Sequence, residues 1–108
     1  MLYDVLLTEG AEHDLASIHE YLAETEGDRV AERLLRRVVD VAARLSEVPE
    51  RGSHPRELLA LGVREYRQIM MRPYRIIYRI IGQQVVVMII ADGRRDMQSL
   101  LARRLLSA

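Results

Sequence analysis

Apolar positions recur every three or four residues through the first half of this chain, and then the period changes to two. Residues 2–8 read as a short opening strand. Thr8 is placed to cap a helix whose first turn carries Glu9 and Glu12, as the helix dipole favours. Ala11, Leu15, Ile18 and Leu22 give that helix one apolar stripe, with Asp14, Glu20 and Glu24 off it. Gly27-Asp28 predicts a stop and restart, and a second helix follows over about 29–45 with Leu34, Leu35, Val38, Val41, Ala42 and Leu45 on its apolar side. So short a link implies an antiparallel helical hairpin.

Pro49, Gly52 and Pro55 mark an irregular connection over about 48–56, with Leu58, Leu59 and Leu61 expected to tack it onto the core. The period of two then begins. Residues 63–71 form one candidate strand, closed by Pro73. Residues 74–81 alternate: Tyr74, Ile76, Tyr78 and Ile80 share one face, and Arg75, Ile77, Arg79 and Ile81 the other. Gly82-Gln83 reads as a tight hairpin turn. Residues 84–91 are almost unbroken apolar, which predicts a central strand covered on both faces. A last helix is expected over about 96–106, docking through Leu100, Leu101, Leu105 and Leu106. The order is β-αα-βββ-α, an α+β fold in one domain over residues 1–108, with the helical hairpin packed on a mainly antiparallel four-stranded sheet. The opposite sheet face is expected to be concave, bordered by arginines and by the final helix.

Charge changes the picture more than composition does. The formal net charge is +0, yet residues 1–50 carry 5 arginines against 12 acids and residues 51–108 carry 11 against 4. Such a split either marks an electrostatic binding face or is neutralised within the fold, with acidic helices beside a basic sheet. All 16 cations are arginine, planar forks suited to carboxylate, phosphate or aromatic partners and unable to act as bases. There is no cysteine, which excludes disulfides and thiolate metal sites. No apolar run is long enough for a membrane helix and the N-terminus lacks a basic segment, so no membrane association and a cytoplasmic location are the default expectation.

Candidate chemistry is sparse. His13 and His19 lie six apart and do not share a helix face in chelating geometry, so neither a metal nor another cofactor is expected. No glycine-rich phosphate loop and no nucleophilic serine motif is present. What remains is a cationic set threaded through the strands: Arg64, Arg67, Arg72, Arg75, Arg79, Arg94 and Arg95, with Tyr66, Tyr74 and Tyr78. The arginines either capture phosphate or carboxylate or pair with Glu57, Glu65, Asp92 and Asp96, which they outnumber. Tyr74 and Tyr78 are expected in the core beside Ile76 and Ile80.

At these residues the chain resembles the RelE/ParE superfamily of toxins from type II toxin–antitoxin pairs. The resemblance rests on Leu58…Gly62-x-Arg64-Glu65-Tyr66-Arg67, Tyr74-Arg75-Ile76-Ile77-Tyr78-Arg79 and Gly93-Arg94-Arg95-Asp96 with Leu100, Leu101 and Arg104. Ala11-x-x-Asp14-Leu15-x-x-Ile18-x-x-Tyr21 and Pro49-x-x-Gly52 extend it over nearly the whole chain. It implies the same architecture, a cognate ParD-like antitoxin and a hetero-oligomer with it. Two activities follow from its two branches. ParE-like members inhibit DNA gyrase by binding, and partner contacts are then expected at Arg64, Arg67, Arg75, Arg79, Arg94 and Arg95. RelE-like members cleave messenger RNA on the ribosome, and Arg64, Glu65, Tyr66, Arg67, Arg75 and Arg94 would carry that catalysis. A third outcome is a non-toxic member acting only in the antitoxin complex. The chain has no lysine, and no histidine or tyrosine follows the last strand, so acid–base groups are scarce and the ParE-like reading is favoured.

Overall fold

The computed structural model describes residues 2–107. Strand β1 (Asp4–Leu7) leads into the hairpin of α1 (Glu9–Glu26) and α2 (Asp28–Glu47). A 3-10 turn (Pro49–Arg51) and a one-turn helix α3 (Arg56–Leu59) connect to β2 (Tyr66–Met71), β3 (Tyr74–Ile81) and β4 (Gln84–Asp92). The chain closes with α4 (Met97–Leu101), which widens into a π-type turn at Ala102–Leu106. The sheet order is β1-β4-β3-β2, with β1 parallel to β4 and the other pairs antiparallel. The α+β fold and its element order are as the residue pattern predicts.

The local reasons are visible. Thr8 Oγ1 accepts the Ala11 N–H at 3.1 Å and caps α1. Gly27, at φ 100, ends α1 by donating to Leu22 O and at once starts α2, a conformation that favours glycine. Ala11, Leu22, Ala31, Leu34, Val41 and Leu45 of the hairpin bury against Ile76, Tyr78, Val85, Val87 and Ile90. Burying the leucine, valine and isoleucine side chains among these, at about 1.5–3 kcal/mol each, is what holds the hairpin to the sheet.

The strand of almost unbroken apolar residues, β4, does not alternate uniformly. Its register against β3 shifts between Ile77 and Tyr78, so Met88 is an extra residue. Before the bulge Val85 and Val87 face the hairpin; after it Ile90 does, while Ile89 and Ala91 face the other side. The bulge and the end of β1 leave main-chain groups that other segments satisfy. Met88 O accepts from Arg104 Nη2 at 3.1 Å, and Ile90 N donates to Asp14 Oδ2 at 3.0 Å. Arg104 also binds both Asp14 oxygens, at 3.0 and 3.1 Å, tying the C-terminal turn to α1.

Two expectations need correction. The connection after α2 contains helix α3, which buries Leu58 but leaves Leu59 36% exposed, while Leu61 in the following turn is 56% exposed. A helical turn points only one of two adjacent leucines inward. The second sheet face, expected to be concave and bordered by arginines and the final helix, is covered further than that. Leu58, Tyr66, Ile77, Ile89, Ala91, Met97, Leu100 and Leu101 form a second apolar cluster there, so α3 and α4 cover part of that face. Ile77 and Ile89 require that cover, since a sheet central strand with apolar residues on both faces must be buried on both.

Tyr78 sits fully buried in the first core, as expected. Its hydroxyl donates to Pro49 O at 2.6 Å and accepts the Gly52 N–H at 3.0 Å, and burial pushes its pKa up. Tyr78→Phe strands two buried main-chain groups and is expected to lower stability by about 1–3 kcal/mol. A lower urea midpoint at unchanged slope is the result to look for; an unchanged midpoint counts against it.

Candidate functional site

The arginines of the sheet divide into those that hold the fold and those that face outward. Arg75 is only 8% exposed. Its Nη1 and Nη2 donate to the two Glu57 oxygens at 2.8 and 2.9 Å, and its Nε donates to Gln68 Oε1 at 2.8 Å. The Arg75 guanidinium holds the Glu57 carboxyl below the ordinary value of 4.5. Arg67 points to the opposite face and donates to Glu50 O and Gly52 O at 3.2 and 2.9 Å, pinning the 3-10 turn. Arg79 lies over the Tyr66 ring, 5.7 Å from its centroid, with Nη1 3.9 Å from Glu65 Oε2. Arg64 and Arg95 are exposed and form no ion pair among the described residues. Arg94 is exposed too, but both Asp92 oxygens hold it, at 2.9 and 2.5 Å.

The six residues of the messenger-cleaving reading are therefore not gathered at one point. Arg67 lies on the hairpin side of the sheet and Tyr66 on the other. Tyr66 pairs with Arg79 while Arg75 pairs with Met70, four residues and about 13 Å along the strand. Arg94 lies beyond the end of β4. Tyr66 is buried and its ring is covered by Arg79. Asp96, counted among the acids available to arginine, instead caps α4 by accepting from Ser99 N and Oγ, which lowers its pKa.

A second region brings cations together. A cleft of about 530 Å³ opens between the helical hairpin and the sheet end where β3 begins and β4 finishes. Ile18, Leu22, Val30 and Leu34 supply apolar lining, with Tyr21, Pro73 and Tyr74 beside them. Arg33, Arg37 and Arg94 line it with Glu26 and Asp92. Tyr21 is 64% exposed. Burial pushes the Tyr74 hydroxyl pKa up; Asp92 and Glu26 push it further and Arg37 and Arg94 oppose them, so all four charges surround that hydroxyl. Arg37 Nη2 donates to Arg72 O at 2.6 Å, fixing the α2 end of the cleft to the β2–β3 turn.

Arg33 and Arg37 escaped the sequence reading because they look like solvated helix residues. Their signal was present: they lie four apart and flank the Leu34 position of the apolar stripe, so they must rim whatever that stripe covers. Arginine keeps its proton and burial raises the Tyr74 hydroxyl pKa, so neither suits proton transfer at neutral pH. What the cleft can do is bind an amphipathic segment that brings apolar side chains and carboxylates together. Among the described residues no group of histidines and carboxylates has metal-holding geometry, and no helix is long and apolar enough to cross a membrane.

The model of the ParE toxin of the type II toxin–antitoxin system parDE matches residues 5–97. Toxin ParE3 of Caulobacter vibrioides is 31% identical over 100 residues, which span 93% of this chain and 96% of that protein. Among solved structures, a chromosomal ParDE toxin–antitoxin system from P. aeruginosa superposes with a TM-score of 0.68 at 19% identity, over 84% of this chain and 96% of the other. The RelBE2 toxin–antitoxin complex of Mycobacterium tuberculosis gives 0.59 at 25% identity, over 85% and 92%. A mutant of the Escherichia coli toxin RelE in the free state gives 0.58 at 20% identity, over 97% and 99%. With its helical hairpin, its four-stranded sheet and a family match across most of its length, the chain belongs to the ParE toxins of type II toxin–antitoxin systems.

Proposed function

We propose that this ParE-family toxin arrests growth by binding DNA gyrase, without cleaving RNA, and that a cognate antitoxin neutralises it in the cleft between hairpin and sheet. One observation carries the choice of binding over catalysis: the cations are dispersed. Arg75 is sequestered by Glu57, Arg67 by main-chain carbonyls, and Tyr66 by Arg79, so no scissile phosphate could meet them together. The exposed Arg64, Arg94 and Arg95 and the half-buried Arg79 remain as contacts for the target.

The antitoxin contributes a partly helical, acidic and apolar segment. Its apolar side chains cover Ile18, Tyr21 and Val30 above the buried Leu22 and Leu34, and its carboxylates meet Arg33 and Arg37. The double variant Arg33→Ala with Arg37→Ala is expected to keep its fold and to lose about tenfold in affinity for the antitoxin, measured by calorimetric titration. Wild-type affinity in that variant would move the antitoxin off this cleft. The target is tested by supercoiling with purified gyrase, which the toxin inhibits and an equimolar antitoxin restores.

A further inference from the structure

Among Arg33, Arg37 and Arg94, Arg94 is the cleft cation that a carboxylate of the protein itself already engages. Asp92 Oδ1 accepts from the Arg94 main-chain N and from Nε, each at 2.9 Å, and Oδ2 accepts from Nη2 at 2.5 Å. The Nε–Nη2 edge is one that a partner carboxylate could use for a two-point contact, and it is filled. The Asp92 side chain is 27% exposed and that of Arg94 is 80% exposed, so the pair sits at the mouth with its cation outward. Asp92 pairs with Tyr74 in the β3–β4 ladder, which fixes its backbone.

We infer that Asp92 is a built-in competitor: it occupies Arg94 in place of an acidic partner group and so sets how strongly the cleft discriminates acidic segments. The inference rests on the cleft being the seat of an acidic amphipathic segment. Arg33, Arg37 and Arg94 face Glu26 and Asp92 there, and one carboxylate fewer doubles the local excess of positive charge from one to two. The Arg94 side chain and main-chain N–H hold the Asp92 carboxyl down to about 2, so the competitor is ionised at neutral pH. A partner therefore gains Arg94 only by displacing Asp92 or by using the remaining Nη1 edge. Exposed pairs of this kind are weak, which keeps the exchange reversible and its effect on affinity modest.

The test uses the full chain and two synthetic helical peptides that share a leucine stripe, one flanked by glutamates and the other by glutamines. Binding is followed by fluorescence anisotropy at low and at physiological salt. Asp92→Asn is expected to bind the glutamate peptide about three- to fivefold more tightly than wild type, with the gain shrinking as salt rises. Its affinity for the glutamine peptide stays unchanged. Equal or weaker binding of the glutamate peptide by Asp92→Asn, with Arg33→Ala/Arg37→Ala still impaired, overturns the competitor role and leaves the cleft reading intact; Asp92 would then orient Arg94. Undiminished binding of both peptides by Arg33→Ala/Arg37→Ala overturns the cleft reading and this inference together.

Discussion

Glu57→Ala is expected to lower the unfolding free energy by about 3 kcal/mol, or roughly 10 °C in the thermal midpoint. The carboxylate reaches across from α3 to meet both terminal nitrogens of Arg75, at 2.8 and 2.9 Å, on the sheet face that α3 and α4 partly cover. Removing it leaves a cation at 8% exposure with Gln68 as its remaining side-chain partner. The cost lies in the stranded charge more than in the lost attraction. Replacing both partners by apolar residues, as Glu57→Leu with Arg75→Met, is therefore expected to recover most of the loss. The pH dependence has a definite sign. The folded pKa of Glu57 lies below 4.5, so the pair's contribution is complete above 4.5 and is lost as pH falls through the lowered folded value. Thermal melts of wild type and Glu57→Gln should accordingly converge in acid and separate at neutral pH. A gap that widens in acid contradicts this reading of the pair.

Gly52→Ala is expected to destabilise by about 3 kcal/mol, for a steric reason and not a conformational one. Gly52 has φ −76, which any residue adopts. A Cβ there would lie 2.4 Å from Gln68 O and 2.5 Å from the Tyr78 hydroxyl. Neither neighbour yields easily: Gln68 exchanges main-chain hydrogen bonds with Ser53, and the Tyr78 hydroxyl is held by Pro49 O and Gly52 N. The added methyl must therefore push the 3-10 turn off β2. Urea denaturation measures the effect, and Gly62→Ala is an informative comparison. Gly62 has open space around its Cβ position but φ +76, so its smaller cost, about 1 kcal/mol, is conformational. If the two substitutions cost the same, the close contact at Gly52 has been overstated.

These two residues also mark where the sequence stops being legible. Helical and strand periods placed every major element, because amphipathic spacing in the hairpin and alternation in β3 are consequences of burying one face. Tyr78 was legible as core for the same reason. The bulge at Met88 was not, since an apolar run shows no break when its faces exchange. Helix α3 was masked by prolines on either side of so short a segment. The fate of the arginines depended on partners distant in sequence: Glu57 lies 18 residues from Arg75. Counting arginines against acids also overlooked main-chain carbonyls, which hold Arg67 and help to hold Arg104. Three of the four acids do pair with arginines, Glu57 with Arg75, Glu65 with Arg79 and Asp92 with Arg94. Arg33 and Arg37 were legible only as flanks of the α2 apolar stripe; the sheet end that they face with it was not.

The charge split along the chain acquires a location. Helix α1 carries acids and no arginine, whereas α2 presents Arg33 and Arg37 to the cleft, Arg64 is exposed just before β2 and Arg79 of β3 is half-buried. Part of the charge is thus neutralised internally, as by Asp14 on Arg104, and part is left for partners.

A toxin that grips a topoisomerase and one that cleaves messenger RNA differ in a single side-by-side experiment. Purified toxin is added to gyrase with relaxed plasmid and, in parallel, to a reconstituted translation reaction. Loss of supercoiling, restored by antitoxin, with ribosome-bound messenger left intact is the expected result. Clean codon-specific cleavage of the messenger with undiminished supercoiling would contradict the proposed function.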